Sequence, residues 1–360
     1  MMRDNVFSIN NRQIGENSPP YVIAEMSANH NKDISNAFKI IEMAKYSGAD
    51  AVKLQTYTPD TITLKVKKPE FMIEEGLWVG QSLYELYDDA YMPWAWHKPL
   101  FDYARKLDIT IFSSPFDNTA VDLLEELNSP AYKIASFEAI DLPLIKYVSG
   151  TGKPLIISTG MADDEEIKEA IEAAREGGCK ELAILHCVSG YPTPAEDYNL
   201  KTMVDMQQRF RLVTGLSDHT LDNTTAITSV ALGASIIEKH VTLDRNGGGP
   251  DDSFSLEPVE LKALCDGVKT AWQALGQVDY GRKPSERPNV KFRRSLYFVK
   301  DMKGGETITN EHIKSIRPGY GLAPKWFQKI IGKKVKNDVQ VGTAISWSLI
   351  EKGKNLDDNS

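Results

Sequence analysis

The chain has 360 residues, 41% of them hydrophobic and 26% charged, with a formal net charge of −8. This length allows two domains or one large domain with an appendage, in an ordinary soluble globular protein. The acidic balance excludes nucleic acid or an anionic membrane as the main partner, so an anionic ligand has to be met by locally placed Lys and Arg. Three cysteines, Cys179, Cys187 and Cys265, form no C-x-x-C pair and suit a reducing compartment. Cys187, inside an apolar run, reads as a small core residue. Residues 5–17 are polar and lack the apolar stretch of a signal peptide, and no run of about 18 apolar residues occurs. No membrane span is expected, and the cytoplasm is the expected location.

Residues 1–20 read as a short opening segment, a hairpin that would plug the bottom of a barrel. A rhythm then begins. Short apolar runs at 21–26 (YVIAEM), 51–55 (AVKLQ), 109–113 (ITIFS), 131–135 (AYKIA), 154–158 (PLIIS), 182–188 (LAILHCV), 212–216 and 235–241 make eight strand candidates. Helical windows at 37–45, 98–106, 119–127, 142–148, 165–176, 200–209 and 223–232 lie between them, and 256–275 follows the last. Strand–helix alternation sustained eight times predicts an α/β fold, a parallel (β/α)8 TIM barrel, over an open doubly wound sheet. No G-x-G-x-x-G follows the first strand, which counts against a dinucleotide fold.

One connection, 56–96, is long and carries Trp78, Tyr84, Tyr87, Tyr91, Trp94 and Trp96. It is either a subdomain packed on its own aromatic core or a lid or substrate wall at the strand C-terminal face. Residues 277–289 (QVDYGRKPSERPN) are polar and Pro-containing, a linker. Beyond them, 295–299, 313–316, 334–335 and 344–346 are strand-like runs of a small β-rich domain, with RPGYGL at 317–322 as a rigid turn carrying Arg317. The expected division is a catalytic barrel over 1–280, a linker over 281–292, a second domain over 293–352 and a flexible tail over 353–360.

Residues at strand C-terminal ends of such a barrel point into one mouth. There stand Glu25, Asn29 and His30; Lys53; Ser113 and Ser114; Lys133, Ser136 and Glu138; Ser158; Ser189 and Tyr191; Ser217, Asp218 and His219; Lys239 and His240. Lysines and serines converging on one mouth compose an anion site, since ammonium groups supply charge and hydroxyls oriented donors. Ser158 and Ser189 are also open to a plainer reading as helix caps. His219 and His240 end successive runs, and two imidazoles beside carboxylates (Asp218, Glu238, Asp251) make an open site for a borderline divalent metal.

At this point the chain resembles the sialic acid synthase (NeuB-type) family. The motifs are IAEMSANHN (23–31), GADAVKLQ (48–55), SSPFD (113–117), KIASFE (133–138), STGM (158–161), YPTP (191–194), GLSDHT (215–220), EKH (238–240), GPD (249–251) and RPGYG (317–321). GLWVGQSLYELY (76–87) and MPWAW (92–96) look like its pseudaminic acid synthase branch. The resemblance implies a phosphoenolpyruvate-dependent nonulosonic acid synthase with a C-terminal antifreeze-like (SAF) domain. It implies that His219 and His240 bind Mn2+, Mg2+ or Co2+, and that Lys53, Ser114, Lys133, Ser136, Ser158 and Ser217 hold phosphoenolpyruvate. Ser189 stands where sialic acid synthases place Asn. Glu25, Tyr191 and Asp251 would face the amino-sugar, with Glu138 close to the reacting carbons. Arg317 would reach over from a partner chain, which implies a homodimer with swapped C-terminal domains. The sugar implied is 2,4-diacetamido-2,4,6-trideoxy-β-L-altropyranose; N-acetylneuraminate or legionaminate synthesis is the sibling alternative. Rival readings are a Schiff-base aldolase using Lys133 or Lys53, and a carbohydrate-binding protein.

Overall fold

Eight parallel strands close on themselves in the computed structural model, which describes residues 7–351. An antiparallel hairpin, β1 (Phe7–Ile9) and β2 (Arg12–Ile14), precedes them. β3 (Tyr21–Glu25), β4 (Ala51–Thr56), β5 (Thr110–Pro115), β6 (Tyr132–Ile134), β7 (Leu155–Ser158), β8 (Leu182–Cys187), β9 (Val213–Asp218) and β10 (Ile236–His240) pair in sequence order. β10 then returns to β3, with His240 opposite Glu25. The chain divides into two compact units, Met1–Gly276 and Gln277–Ser360.

Side chains along each strand alternate between the ring of helices and the barrel interior. Val22, Ala24, Val52, Leu54, Ile157, Ile184 and Ile237 face the helices. Ile23, Ala51, Phe112, Ala131, Ile156, Leu185 and Ile236 face inward, where Phe7, Ile9 and Ile14 of the hairpin join them and seal the bottom. Two residues further along the same strands the inward positions turn polar: Glu25, Lys53, Ser114, Lys133, Ser158 and Glu238. A dry lower layer thus carries a polar floor.

The helices begin where caps allow. α1 (Ile34–Ser47) starts ahead of its apolar stripe because the Asp33 carboxylate accepts from Ser35 N–H, and it ends at Gly48 in the left-handed region, φ 94°. The long connection contains α2 (Pro59–Ile62) and α3 (Leu83–Ala90), and α4 (Trp94–Lys106) takes in Trp94 and Trp96. Its aromatics do not gather into a core of their own. Trp96 packs edge-on against His30 after β3, the Tyr87–Tyr57 pair runs on to Phe116 after β5, and Trp78 stands 6.1 Å, centroid to centroid, from Tyr191 after β8. The segment is a wall built onto the barrel mouth.

The second unit is centred on β11 (Ser295–Phe298) and β12 (Ile313–Ile316), antiparallel, over a core that includes Leu296, Phe298, Ile308, Ile313, Ile330, Val335 and Ile345. The runs expected at 334–335 and 344–346 are reduced to single bridges, such as Tyr297 with Ala344. The linker region ends in a 3-10 segment, Pro284–Phe292, with no buried side chain. Arg317 follows β12 directly, ahead of a cis bond to Pro318. The tail at 353–360 lies outside the described residues. No helix among the described residues is long and apolar enough to cross a membrane.

Candidate active site

Four charged side chains meet in the upper barrel. Lys53 Nζ lies 3.1 Å from Glu25 Oε2, 3.4 Å from Glu238 Oε1 and 3.2 Å from Ser114 Oγ. Lys133 Nζ donates to both Glu238 oxygens, at 2.7 and 2.9 Å, and Ser217 Oγ donates to Oε1 at 3.2 Å. Strand register makes these neighbours: Glu25 is opposite Lys53, and Ser217 opposite Glu238. All four charged groups are buried, which is tolerable only because each is paired. Burial pushes the Glu25 carboxyl up despite Lys53, whereas Glu238 stays low because both lysines outweigh its burial. Burial depresses Lys133; Lys53 is raised because Glu238 and Glu25 override its own burial. One carboxyl is thus ready to hold a proton and the other is a fixed anion.

Hydroxyls ring this cluster. Ser158 Oγ is buried without a partner, and the helix that follows is capped by Asp163 instead. A cap therefore does not account for Ser158. Leu200 occupies the cap position of the next helix, so Ser189 is no cap either. A Cβ on Gly160 would collide with Ser189 Oγ and come 2.8 Å from Ser136 Oγ, so only glycine lets these hydroxyls share the space. Ser136 Oγ donates to Cys187 Sγ at 3.3 Å. Glu138, in the short turn Ser136–Glu138 after β6, has one oxygen buried without a partner, and burial raises its carboxyl to about 7.

The two imidazoles sit at the rim with ring centroids 5.4 Å apart. His219 Nδ1 is 2.8 Å from Val188 O, which orients the ring and leaves Nε2 as its lone-pair nitrogen. His240 Nδ1 is buried without a hydrogen bond, 3.9 Å from Asp251 Oδ2. Burial, with His219 adding to it, holds His240 well below the usual imidazole range and therefore neutral. Cys187 and Val188 draw His219 the other way, against burial. An orphaned imidazole nitrogen beside Asp251, on a ring 5.4 Å from a second, oriented imidazole, fits a divalent ion with positions left open for oxygen ligands. Among the described residues no three His, Cys, Asp or Glu close around one point. Tyr191 covers the pair, its ring 4.5 Å from His219 and 6.3 Å from His240.

All the singled-out residues except Arg317 belong to the barrel unit. Some residues expected at the mouth are turned away. Lys239 and Asp218 face the helices and bind each other at 2.7 Å, with Thr220 O and Asp222 O completing the ammonium shell. His30 is buried against Trp96, and Asn29 Nδ2 donates to Val241 O and Ser255 Oγ. Other residues join unannounced. Gln55 Nε2 donates to Glu25 Oε1 and Ser27 Oγ, both at 3.0 Å, and Ser27 in turn hydrogen-bonds Asp251. Cys187 lies inside the site, 3.9 Å from His219 Nδ1, rather than in the helix-facing core. Gln55 was findable by parity, two residues on from Lys53.

Residues 40–280 match the NeuB family and residues 293–351 the SAF domain. A pseudaminic acid synthase of Helicobacter pylori is 43% identical over 93% of this chain and 98% of its own length. An N,N'-diacetyllegionaminic acid synthase of Campylobacter jejuni is 38% identical over 87% and 94%. The crystal structure of a spore coat polysaccharide biosynthesis protein, spsE, from Bacillus subtilis superposes with a TM-score of 0.66 at 33% identity, covering 97% of this chain and all of that one.

Proposed function

Because this chain belongs to the NeuB family, we propose that its barrel condenses phosphoenolpyruvate with 2,4-diacetamido-2,4,6-trideoxy-β-L-altropyranose and water, releasing pseudaminic acid and phosphate. The observation that carries this reading is the buried floor of Lys53 and Lys133 with its hydroxyls, lying under two neutral-capable imidazoles. The ammonium groups meet the phosphate and carboxylate charges. Ser114, Ser136, Ser158, Ser189 and Ser217 supply the oriented donors. His219 and His240 would hold Mn2+, Mg2+ or Co2+, which when bound acts as a Lewis acid on the aldehyde of the open-chain sugar.

The new bond joins the enolpyruvate C3 to that aldehyde carbon, whose oxygen gains a proton. C2 then takes water, which gives up a proton, and the tetrahedral centre expels phosphate as the C2 ketone forms. Glu138, with its carboxyl near 7, and Glu25, whose carboxyl is raised, can each hold or return a proton within this sequence. Tyr191 and Asp251 face the sugar. Burial of the floor keeps bulk water out while both reactants are aligned, an effect that reaches about 7–11 kcal/mol in well-oriented systems.

We further infer a homodimer in which Arg317 of one chain's second domain, 293–352, completes the other chain's mouth. The three cysteines are free and buried, which suits a reducing cytoplasm. The aldolase alternative needs a free amine, and carboxylates engage both lysines. The deciding experiment is phosphate release from phosphoenolpyruvate against this sugar, its legionaminate-type counterpart and N-acetylmannosamine. Turnover is expected to be fastest with the first, and the absence of phosphate release with all three overturns the reading.

A further inference from the structure

Among the residues by which the wall segment meets the site, Trp78 is tied to it by a hydrogen bond. Trp78 Nε1–H donates to Pro250 O at 3.0 Å, a bond between positions 172 apart in sequence. Pro250 immediately precedes Asp251, and the Trp78 ring lies 6.1 Å from that of Tyr191. Trp78 therefore adjoins Tyr191 and Asp251, two of the residues assigned to the sugar. The loop it grips is rigid, because Asp252 Oδ2 accepts from Gly249 N–H and Asn31 Nδ2, at 2.8 and 2.9 Å. A cavity of about 540 Å3 opens beside Trp78, bounded by Leu77, Leu86, Gly248 and Pro250. The only charges on its lining, Lys32 and Asp89, neutralise each other at 2.7 Å. This space suits an uncharged, partly apolar group.

We propose that Trp78 and the cavity beside it form the subsite that selects the sugar by its uncharged acylamino- and methyl-bearing face. The indole has a single donor and spends it on Pro250. What remains toward the ligand is an apolar plane with no hydrogen bond to offer. A sugar that carries a hydroxyl against that plane leaves it unpaired on binding, whereas a deoxy methyl packs there without loss, and the N–H and C=O of a second acylamino group can be met by Asn31, Gln81 and Ser253 on the same lining. The inference rests on the synthase reading above and names the residue that narrows its substrate.

The test compares wild type, Trp78→Ala and Trp78→Phe in phosphate release, with the diacetamido-trideoxy sugar and with N-acetylmannosamine. In W78A the ratio of the two kcat/KM values is expected to fall by about tenfold or more, through a higher KM for the first sugar, while the KM for phosphoenolpyruvate is unchanged. W78F keeps an apolar ring without the donor and is expected to keep the wild-type ratio. An unchanged ratio in W78A overturns the proposal. So does W78F as impaired as W78A, which assigns the effect to the tether, or a rise in the phosphoenolpyruvate KM, which assigns it to general disorder of the mouth. A wild type that prefers N-acetylmannosamine leaves the condensation chemistry standing and overturns the sugar assignment together with this inference, whereas an unchanged ratio in W78A overturns this inference alone. A wild type that releases no phosphate with any amino-sugar removes both.

Discussion

Lys133 Nζ lies 2.7 and 2.9 Å from the two carboxylate oxygens of Glu238, and both side chains are buried inside the barrel. Such a pair adds little over a well-packed apolar pair, but breaking it leaves a buried charge. Lys133→Met is expected to lower stability by about 3–5 kcal/mol. The double variant Lys133→Met with Glu238→Gln should lose less than the sum of the singles, because neither partner is then stranded. Urea unfolding of the four proteins measures this coupling.

Glu138 should make stability depend on pH. Its carboxyl is raised from 4.5 to about 7 on folding, chiefly by burial. A raised pKa contributes stability that is fully present below 4.5 and lost as pH climbs through about 7. Glu138→Gln removes that slope, by about 1 kcal/mol per pH unit at most. Unfolding curves at pH 5 and pH 8 should therefore show the variant gaining on wild type at the higher pH. Its turnover should also lose an ionisation near neutrality.

His219→Ala and His240→Ala should fold with wild-type melting profiles and lose turnover by at least about a hundredfold, since each removes half of the imidazole pair. Metal content after dialysis should fall with activity. Full activity in either variant, or after exhaustive chelation, removes the metal role.

Truncation before Pro288 should leave the barrel folded by circular dichroism and abolish phosphate release. Wild-type turnover by the truncated barrel refutes the cross-chain arginine.

Gly160→Ala forces a Cβ against the hydroxyls of Ser189 and Ser136. It should raise the KM for phosphoenolpyruvate about tenfold or more while leaving the KM for the sugar nearly unchanged. Steady-state kinetics with each substrate varied in turn separates the two.

The barrel was legible because buried parallel strands have no choice but to be short and apolar, and eight of them alternate with helices. The floor was legible for the same reason: a polar residue closing such a run has to face either the mouth or the helices. What the pattern does not give is which of the two. Glu238 and Lys239 are consecutive, both charged and both buried, and strand parity alone sends one to the floor and the other to Asp218. Parity also explains Gln55, which follows Lys53 by two and joins Glu25. Ser158 and Ser189 suit a helix cap or a ligand site equally well in the sequence; in the fold Asp163 and Leu200 hold the cap positions of the neighbouring helices. Trp78 stands in the sequence as one aromatic among several and as part of the 76–87 motif, neither of which gives it a partner. Its partner Pro250 lies far along the chain, and no local period connects them.

The first and last barrel strands meet with His240 beside Glu25. The two halves of the rim are thus made at opposite ends of a long stretch of synthesis and exist as one object only after that seam has zipped. A chain arrested between His219 and its final strand, Ile236–His240, owns every lysine and serine of the floor but only one of the two imidazoles. Whatever binds across the junction holds the cylinder shut, so loss of ligand should be felt first as fraying between those two edges.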